Sequence, residues 1–312
     1  MTRVGVVDLG TNSTRLLVAD VEDSSVREVD RRLEITRLGE GVDARRQLLP
    51  EAVARVRNVL TDYRRAIEEH GAERTLAFAT SAVRDAENGE AFLGEIQWSY
   101  GFETRLLTGH EEALLTFRGV SAGREIAEDT LVVDVGGGST ELILGGPDGV
   151  SFHESYDLGC VRLTERFPSD PEGCAAFVRT TLADGVPPEI QPRHAIGVAG
   201  TVTQLATLDL GLEREEPDLV HAHRLTTDAV ASLLQRLAAM PVEEIRQLRG
   251  MHPGRAPVIV AGTVVVLETL RRFGLDELEV SEHDIMHGAA LAAAALPAPI
   301  EGDAPPGAYT CC

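Results

Sequence analysis

Residues 8–18, DLGTNSTRLLV, and residues 134–144, DVGGGSTELIL, share Asp, Gly, Ser, Thr and Leu at matching positions. Each follows a short β-rich run, VGVV before the first and TLVV before the second, and each leads into further apolar residues. The pattern reads as strand, tight turn, strand: a β-hairpin whose tip is rich in backbone N–H and hydroxyl groups. Glycine lets the backbone approach an anion closely, and the hydroxyls add donors. An Asp at the end of each incoming strand can hold a hydrated Mg²⁺ through one carboxylate. A single such turn is weak evidence, because many strands end this way. A matched pair predicts two similar domains whose hairpin tips address one anionic ligand across a cleft.

A second internal similarity joins residues 198–208, VAGTVTQLATL, to residues 260–270, VAGTVVVLETL. Both read as an apolar strand running into Gly-Thr and then into an apolar-periodic helix. Between these landmarks helical periods alternate with strands. Val53, Val56, Leu60, Tyr63 and Ile67 mark one face of a helix that stops at Gly71. Residues 75–83 read as a buried strand, 90–100 as a helix, 103–108 as a strand and 111–120 as a helix. Further helices are expected near 171–183, 227–239, 242–247 and 284–296. Strand and helix alternating throughout predicts an α/β fold with mixed sheets. The boundary falls near 123–129, which gives a first domain over 1–125 and a second over 126–296. The last helix is able to pack back on the first domain, and 297–312 reads as a flexible tail.

Charge narrows the chemistry. Among 312 residues there are 50 Asp and Glu against 29 basic residues, every one of them Arg, for a net charge of −21. The absence of Lys removes a P-loop lysine, a Schiff-base lysine and a kinase-type strand lysine. The acidic balance argues against broad nucleic-acid binding. A polyanionic ligand stays feasible, because screening acts over about 8 Å at physiological salt and local charge decides. It would need Arg, backbone N–H groups and a divalent metal. Cys160 and Cys174 are isolated, and Cys311 and Cys312 end a Pro/Gly-rich tail. With no C-x-x-C pair, neither a structural zinc site nor a disulfide framework is expected. No apolar run reaches the roughly 20 residues of a membrane span, and the start lacks a signal-type segment, so a cytoplasmic protein without a membrane partner is expected.

With these residues in place, the sequence resembles the exopolyphosphatase/guanosine pentaphosphatase family, within the actin/Hsp70/sugar-kinase superfamily. The motifs VDLGTNSTRLLV, FATSAVRDAENG, TGHEEA, VVDVGGGSTEL, DLGCVRLTERF, VAGTVTQLA and VSEHDIMHGAAL carry it in family order. The resemblance implies the short form: two actin-like (ribonuclease H-like) domains with mixed sheets flanked by helices and an active-site cleft between them. It implies Gly136, Gly137, Gly138, Ser139 and Thr140 as the phosphate loop, and Thr11, Asn12 and Ser13 as a second phosphate cradle. Asp134 and Glu141 would carry Mg²⁺ or Mn²⁺, with Asp8 helping to position metal or water. Arg84 resembles the family's phosphate-binding arginine, whose planar fork suits phosphate oxygens. Glu112 resembles the general base, and Gly200 and Thr201 are candidate nucleotide or phosphate contacts. The implied substrate is inorganic polyphosphate, with a tilt towards short chains, and the implied state a homodimer. Guanosine pentaphosphate or a nucleoside triphosphate is the alternative substrate, and a non-catalytic sensor of alarmone or nucleotide the alternative class. One departure stands out: Leu114 occupies a position where the family often has Arg, and Arg118 is the candidate substitute.

Structural readings compete with these. Three consecutive glycines cost more conformational entropy than a plain hairpin requires. Glu111 opens a helix, where acidic residues suit the macrodipole, so only Glu112 is retained. Gly262 and Thr263 read as packing residues. His283 and His287 stand at i, i+4 without a third ligand, so no zinc site is read there.

Overall fold

A computed structural model describes residues 1–297, so all but the first residue of the expected tail lies outside the described residues. The chain divides into two compact units, one of residues 1–124 together with the helix Ile285–Ala294, the other of residues 125–284.

The first unit holds strands β1 (Thr2–Leu9), β2 (Thr14–Glu22), β3 (Ser25–Glu34), β4 (Arg74–Ala79) and β5 (Glu103–Leu106). Their order is β3-β2-β1-β4-β5, with the first three strands antiparallel and β4 and β5 parallel to β1. The two-residue period divides the apolar side chains between two faces. Val7, Leu9, Leu16, Val18, Ala77 and Ala79 share one core with side chains of the helices Pro50–Glu69 and Gly89–Tyr100. Val4, Val6, Leu17, Ala19, Leu76 and Phe78 share the other with Ile285, Met286, Ala289 and Ala290 of the last helix. Burial on both faces explains why these strands read as near-continuous apolar runs. Each fully buried Val or Leu contributes about 1.5–3 kcal/mol.

The helix Ile285–Ala294, assigned by sequence to the second domain but able to pack back, belongs to the first unit. Its alanines and Gly288 let it lie close to the helix Gly109–Val120: a Cβ on Gly288 would stand 1.9 Å from the Leu115 carbonyl oxygen. Gly288→Ala should therefore force the two helices apart. Overpacking of this kind costs about 1–3 kcal/mol, and thermal melting should show a fall of several degrees.

The second unit repeats the plan. Strands β6 (Thr130–Val135), β7 (Thr140–Gly146), β8 (Gly149–Tyr156), β9 (His194–Val198), β10 (Arg224–Thr226) and β11 (Glu277–Val280) take the order β10-β11-β9-β6-β7-β8. Again the first three are antiparallel, and β9 and β11 run parallel to the first. Three antiparallel strands followed by parallel ones is thus the order in both units. The helices Ala199–Asp209, Thr227–Ala238 and Ile259–Phe273 supply much of its core.

Two local expectations are corrected. The strand read at 75–83 ends at Ala79, and Ser81–Asp85 is a short helix that carries Arg84. Residues 260–270 contain no strand, since they lie inside the buried helix Ile259–Phe273. Short apolar runs do not distinguish strand from buried helix by periodicity, and here the length of the run decides for helix. Among the described residues, no helix is long and apolar enough to cross a membrane.

Candidate functional site

Both hairpins form as read, and each turn closes in the same way. Gly10 N–H donates to the Ser13 carbonyl at 3.1 Å, and Gly136 N–H donates to the Ser139 carbonyl at 3.0 Å. Each turn is then tied down by a later segment of its own unit. In the first, the Thr11 carbonyl accepts from Gly39 N–H at 2.8 Å and the Asn12 carbonyl from Arg37 N–H at 2.9 Å. In the second, the Gly136 carbonyl accepts from Cys160 N–H at 3.0 Å and the Gly137 carbonyl from Val161 N–H at 2.8 Å. The Gly138 carbonyl accepts from Arg162 Nε at 2.9 Å. In a planar trans peptide the next N–H points opposite the carbonyl. With the carbonyls of residues 136–138 held to one side, the N–H groups of Gly137, Gly138 and Ser139 are directed to the other, an anion-receiving nest.

These tying segments are themselves a repeat that sequence reading missed: Leu38–Gly39 in RLGEG and Leu158–Gly159 in DLGCV. Each follows the third strand of its unit, and that shared position is the signal that could have found them. A Cβ on Gly39 would meet Thr11 Cγ2 at 2.3 Å, and one on Gly159 would meet the Gly137 carbonyl oxygen at 2.2 Å. The threonines that follow the turns bind the same segments. The Thr14 and Thr36 hydroxyls are 2.8 Å apart, and Thr140 Oγ1 donates to the Leu158 carbonyl at 2.9 Å. Thr140, expected at the phosphate, is thus fully buried and spends its hydroxyl as an anchor, because the two-residue period turns it away from the tip. Thr11 is also buried, its hydroxyl 3.0 Å from that of Ser81. Asn12 is half-buried, and its Oδ1 has no hydrogen-bond partner among the described residues. Such a buried, unsatisfied amide marks a place where a ligand or water completes the bonding.

The hairpins differ at one register position. Across β1 and β2, Asp8 faces Arg15, whereas across β6 and β7, Asp134 faces Glu141. Asp8 Oδ2 accepts from Arg15 Nε at 2.8 Å and lies 2.7 Å from its Nη2. In the second hairpin both carboxylates are buried, and Glu141 Oε1 accepts from Ser155 Oγ at 2.7 Å. Directly opposed side chains have Cβ atoms about 4.5–5.5 Å apart, and like charges there repel. A divalent cation fits this pair, since Mg²⁺ is commonly held by one or two carboxylates and completed by phosphate oxygens and water. An all-protein cage does not fit, for no group of three or more His, Cys, Asp and Glu able to hold a metal occurs among the described residues.

Glu112 and Arg84, read separately from sequence, form one unit of chemistry. A capping box holds the start of the helix Gly109–Val120: Thr108 Oγ1 accepts from Glu111 N–H, and the Glu111 carboxylate accepts from Thr108 N–H at 2.8 Å. Those hydrogen bonds from Thr108 hold the Glu111 carboxyl below its usual range. Glu111 is therefore the structural acid, while Glu112, next in the helix, is buried. Arg84 Nη1 donates to Glu112 Oε2 at 2.7 Å and to the Leu107 carbonyl at 2.6 Å. Nε and Nη2 of Arg84 have no partner among the described residues and remain available to an anion. Leu114 is exposed, and Arg118, six residues beyond Glu112, lies on an exposed part of the helix away from it.

Gly200 and Thr201 open the helix Ala199–Asp209. A Cβ on Gly200 would meet the Arg255 guanidinium at 2.9 Å, so this glycine makes room for a buried arginine, itself paired with Glu215 at 2.6 Å. Thr201 packs closely on Gly262 and hydrogen-bonds the Cys160 thiol, which burial pushes up to about 11. Arg255 and Arg162, both buried beside these motifs, were not anticipated.

Duplicated α/β units, each with a glycine-containing turn strapped by a later segment, together with a buried glutamate–arginine pair and a cross-strand acidic pair, have the donors and carboxylates that phosphate chemistry requires. The sequence model of the Ppx/GppA phosphatase family matches residues 17–294. The chain belongs to that enzyme family. It is 41% identical over 322 residues to exopolyphosphatase 2 of Mycobacterium tuberculosis, covering 94% of this chain and 99% of that protein. Among solved structures it is similar to an exopolyphosphatase-like protein, with a TM-score of 0.87 and 32% identity over 93% of this chain and 98% of the other. The Aquifex aeolicus Ppx/GppA enzyme gives a TM-score of 0.79 at 30% identity, covering 93% and 99% of the two chains.

Proposed function

We propose that the protein is an exopolyphosphatase, releasing orthophosphate from the ends of inorganic polyphosphate. The observation that carries this reading is the strapped turn at 136–139, whose carbonyls are occupied and whose N–H groups are directed the other way. Family membership and the relatives named exopolyphosphatase support it. In this reading each unit carries one phosphate-binding turn. The N–H groups of Gly137, Gly138 and Ser139 receive phosphate oxygens at the second turn, and Asn12 and Ser13 do so at the first. Arg84 binds the terminal phosphoryl group through Nε and Nη2 while Nη1 holds Glu112. With its carboxylate positioned by that bond, Glu112 takes the proton of the water whose oxygen attacks the terminal phosphorus, and the bridging P–O bond breaks to release orthophosphate from the shortened chain. Phosphoryl transfer needs positioning and charge neutralisation more than covalent help, and these groups supply both. Mg²⁺ or Mn²⁺ at Asp134 and Glu141 would neutralise phosphate oxygens held at the second turn.

Phosphate release from polyphosphates of graded length, with and without Mg²⁺ and with guanosine pentaphosphate in parallel, tests the reading. Cation-dependent release from polyphosphate supports it; release from guanosine pentaphosphate alone overturns the substrate, and no release at all overturns the activity. Asp134→Asn should raise the Mg²⁺ concentration for half-maximal rate by at least about 10-fold, because even outer partners of a metal ligand are worth 10–100-fold in affinity.

A further inference from the structure

Arg37 is the first residue of the RLGEG segment that ties down the first turn, and its backbone is left-handed with φ +49°. For a non-glycine residue this is uncommon, and such strain persists only where its surroundings over-determine it. They do so here. Its N–H is committed to the Asn12 carbonyl, and its own carbonyl accepts from Glu40 N–H and from Arg55 Nη2, each at 3.2 Å. Arg55 also donates to the Thr36 carbonyl at 2.6 Å and pairs with Glu40 at 2.9 Å, so one guanidinium buttresses the whole strap. The Arg37 side chain itself is half-buried. It makes no hydrogen bond or ion pair among the described residues, in a chain with 50 carboxylates. The hydrogen-bonded neighbour of Arg37 is Asn12, whose side-chain oxygen is likewise unsatisfied.

The matching position in the second unit makes the contrast sharper. Leu38–Gly39 corresponds to Leu158–Gly159, so Arg37 corresponds to Asp157, which is highly exposed and lies 3.5 Å from Arg162. At this position the first strap carries an arginine without an ion-pair partner among the described residues and the second an aspartate, while the cation of the second strap, Arg162, is spent on the Gly138 carbonyl. A strained, unpaired arginine next to an unsatisfied amide on the first turn has the features of a ligand clamp. We infer that Arg37 is a further substrate-binding residue, its guanidinium receiving the non-bridging oxygens of a phosphate held at the first turn. This inference rests on the polyphosphate reading above.

Inorganic tripolyphosphate is the probe, followed by calorimetric binding, steady-state kinetics and thermal melting of the full chain. Arg37→Gly removes the guanidinium and also relieves the left-handed strain. It should raise KM and Kd by about 10-fold or more, the usual worth of a charge-assisted contact, with a much smaller change in kcat and no fall in Tm. Arg37→Lys, which keeps a charge but loses the planar fork, should fall between Arg37→Gly and wild type. Wild-type KM and Kd in Arg37→Gly would overturn the assignment, as would a KM rise found only in variants that melt lower. If the wild-type chain neither binds nor hydrolyses tripolyphosphate, the polyphosphate reading itself fails and takes this inference with it.

Discussion

Glu112→Gln is expected to lower phosphate release by about 10²–10⁴-fold, the usual contribution of a positioned general base. The substitution is isosteric, and the amide oxygen still accepts from Arg84 Nη1, so the 2.7 Å contact survives. What disappears is the ability to take a proton from water. The site is buried, and the helix start is secured independently by the Thr108–Glu111 capping box, so the fold should hold. The Arg84 charge loses its counter-ion, but its side chain is 28% exposed and water can compensate much of the loss. Rates measured with saturating polyphosphate, beside a melting curve, separate the two effects. A purified variant that turns over at the wild-type rate would show that Glu112 is not the base.

Gly159→Ala should be nearly as damaging, for a steric reason. Gly159 has φ −75° and ψ 148°, a conformation any residue adopts, so the added methyl is the whole perturbation. That Cβ would stand 2.2 Å from both the Gly137 carbonyl oxygen and the Gly138 carbonyl carbon, which are backbone atoms of the second turn. The loop or the strap must move by an ångström or so, and displacements of that size can cost about 10²-fold in rate. Gly39→Ala makes the instructive comparison. There the nearest atom is a side-chain methyl of Thr11, which can rotate at the expense of its bond to Ser81. The loss in kcat/KM should therefore be smaller at Gly39 than at Gly159; the reverse order would mean that the first turn, not the second, governs the chemistry.

Sequence reading succeeded where the physics is local. The hairpins were legible because Gly, Ser, Thr and Asn in a short turn between apolar strands have few other uses. It failed at the residues before Gly262, read as the end of a strand, which lie in a long helix buried on nearly every side. It also kept Arg84 and Glu112 as two separate residues, since 28 residues of chain separate partners that are 2.7 Å apart. The charge swap between Arg15 and Glu141 was visible in the aligned hairpins, but its meaning needed the register that sets each against its Asp.

By itself, then, the order of residues determined the duplicated α/β plan, the two turns, the reliance on arginine and the family, because periodicity, turn chemistry and composition are written in neighbouring residues. Tertiary structure alone decided which way the turns present their N–H groups. That orientation depends on hydrogen bonds from residues 37, 39 and 159–162, more than twenty positions away along the chain. It likewise decided that the last helix completes the first unit, where Gly288 permits an approach that any side chain would block. Contacts of this kind are fixed by which surfaces fit together, and fit leaves no period in a sequence.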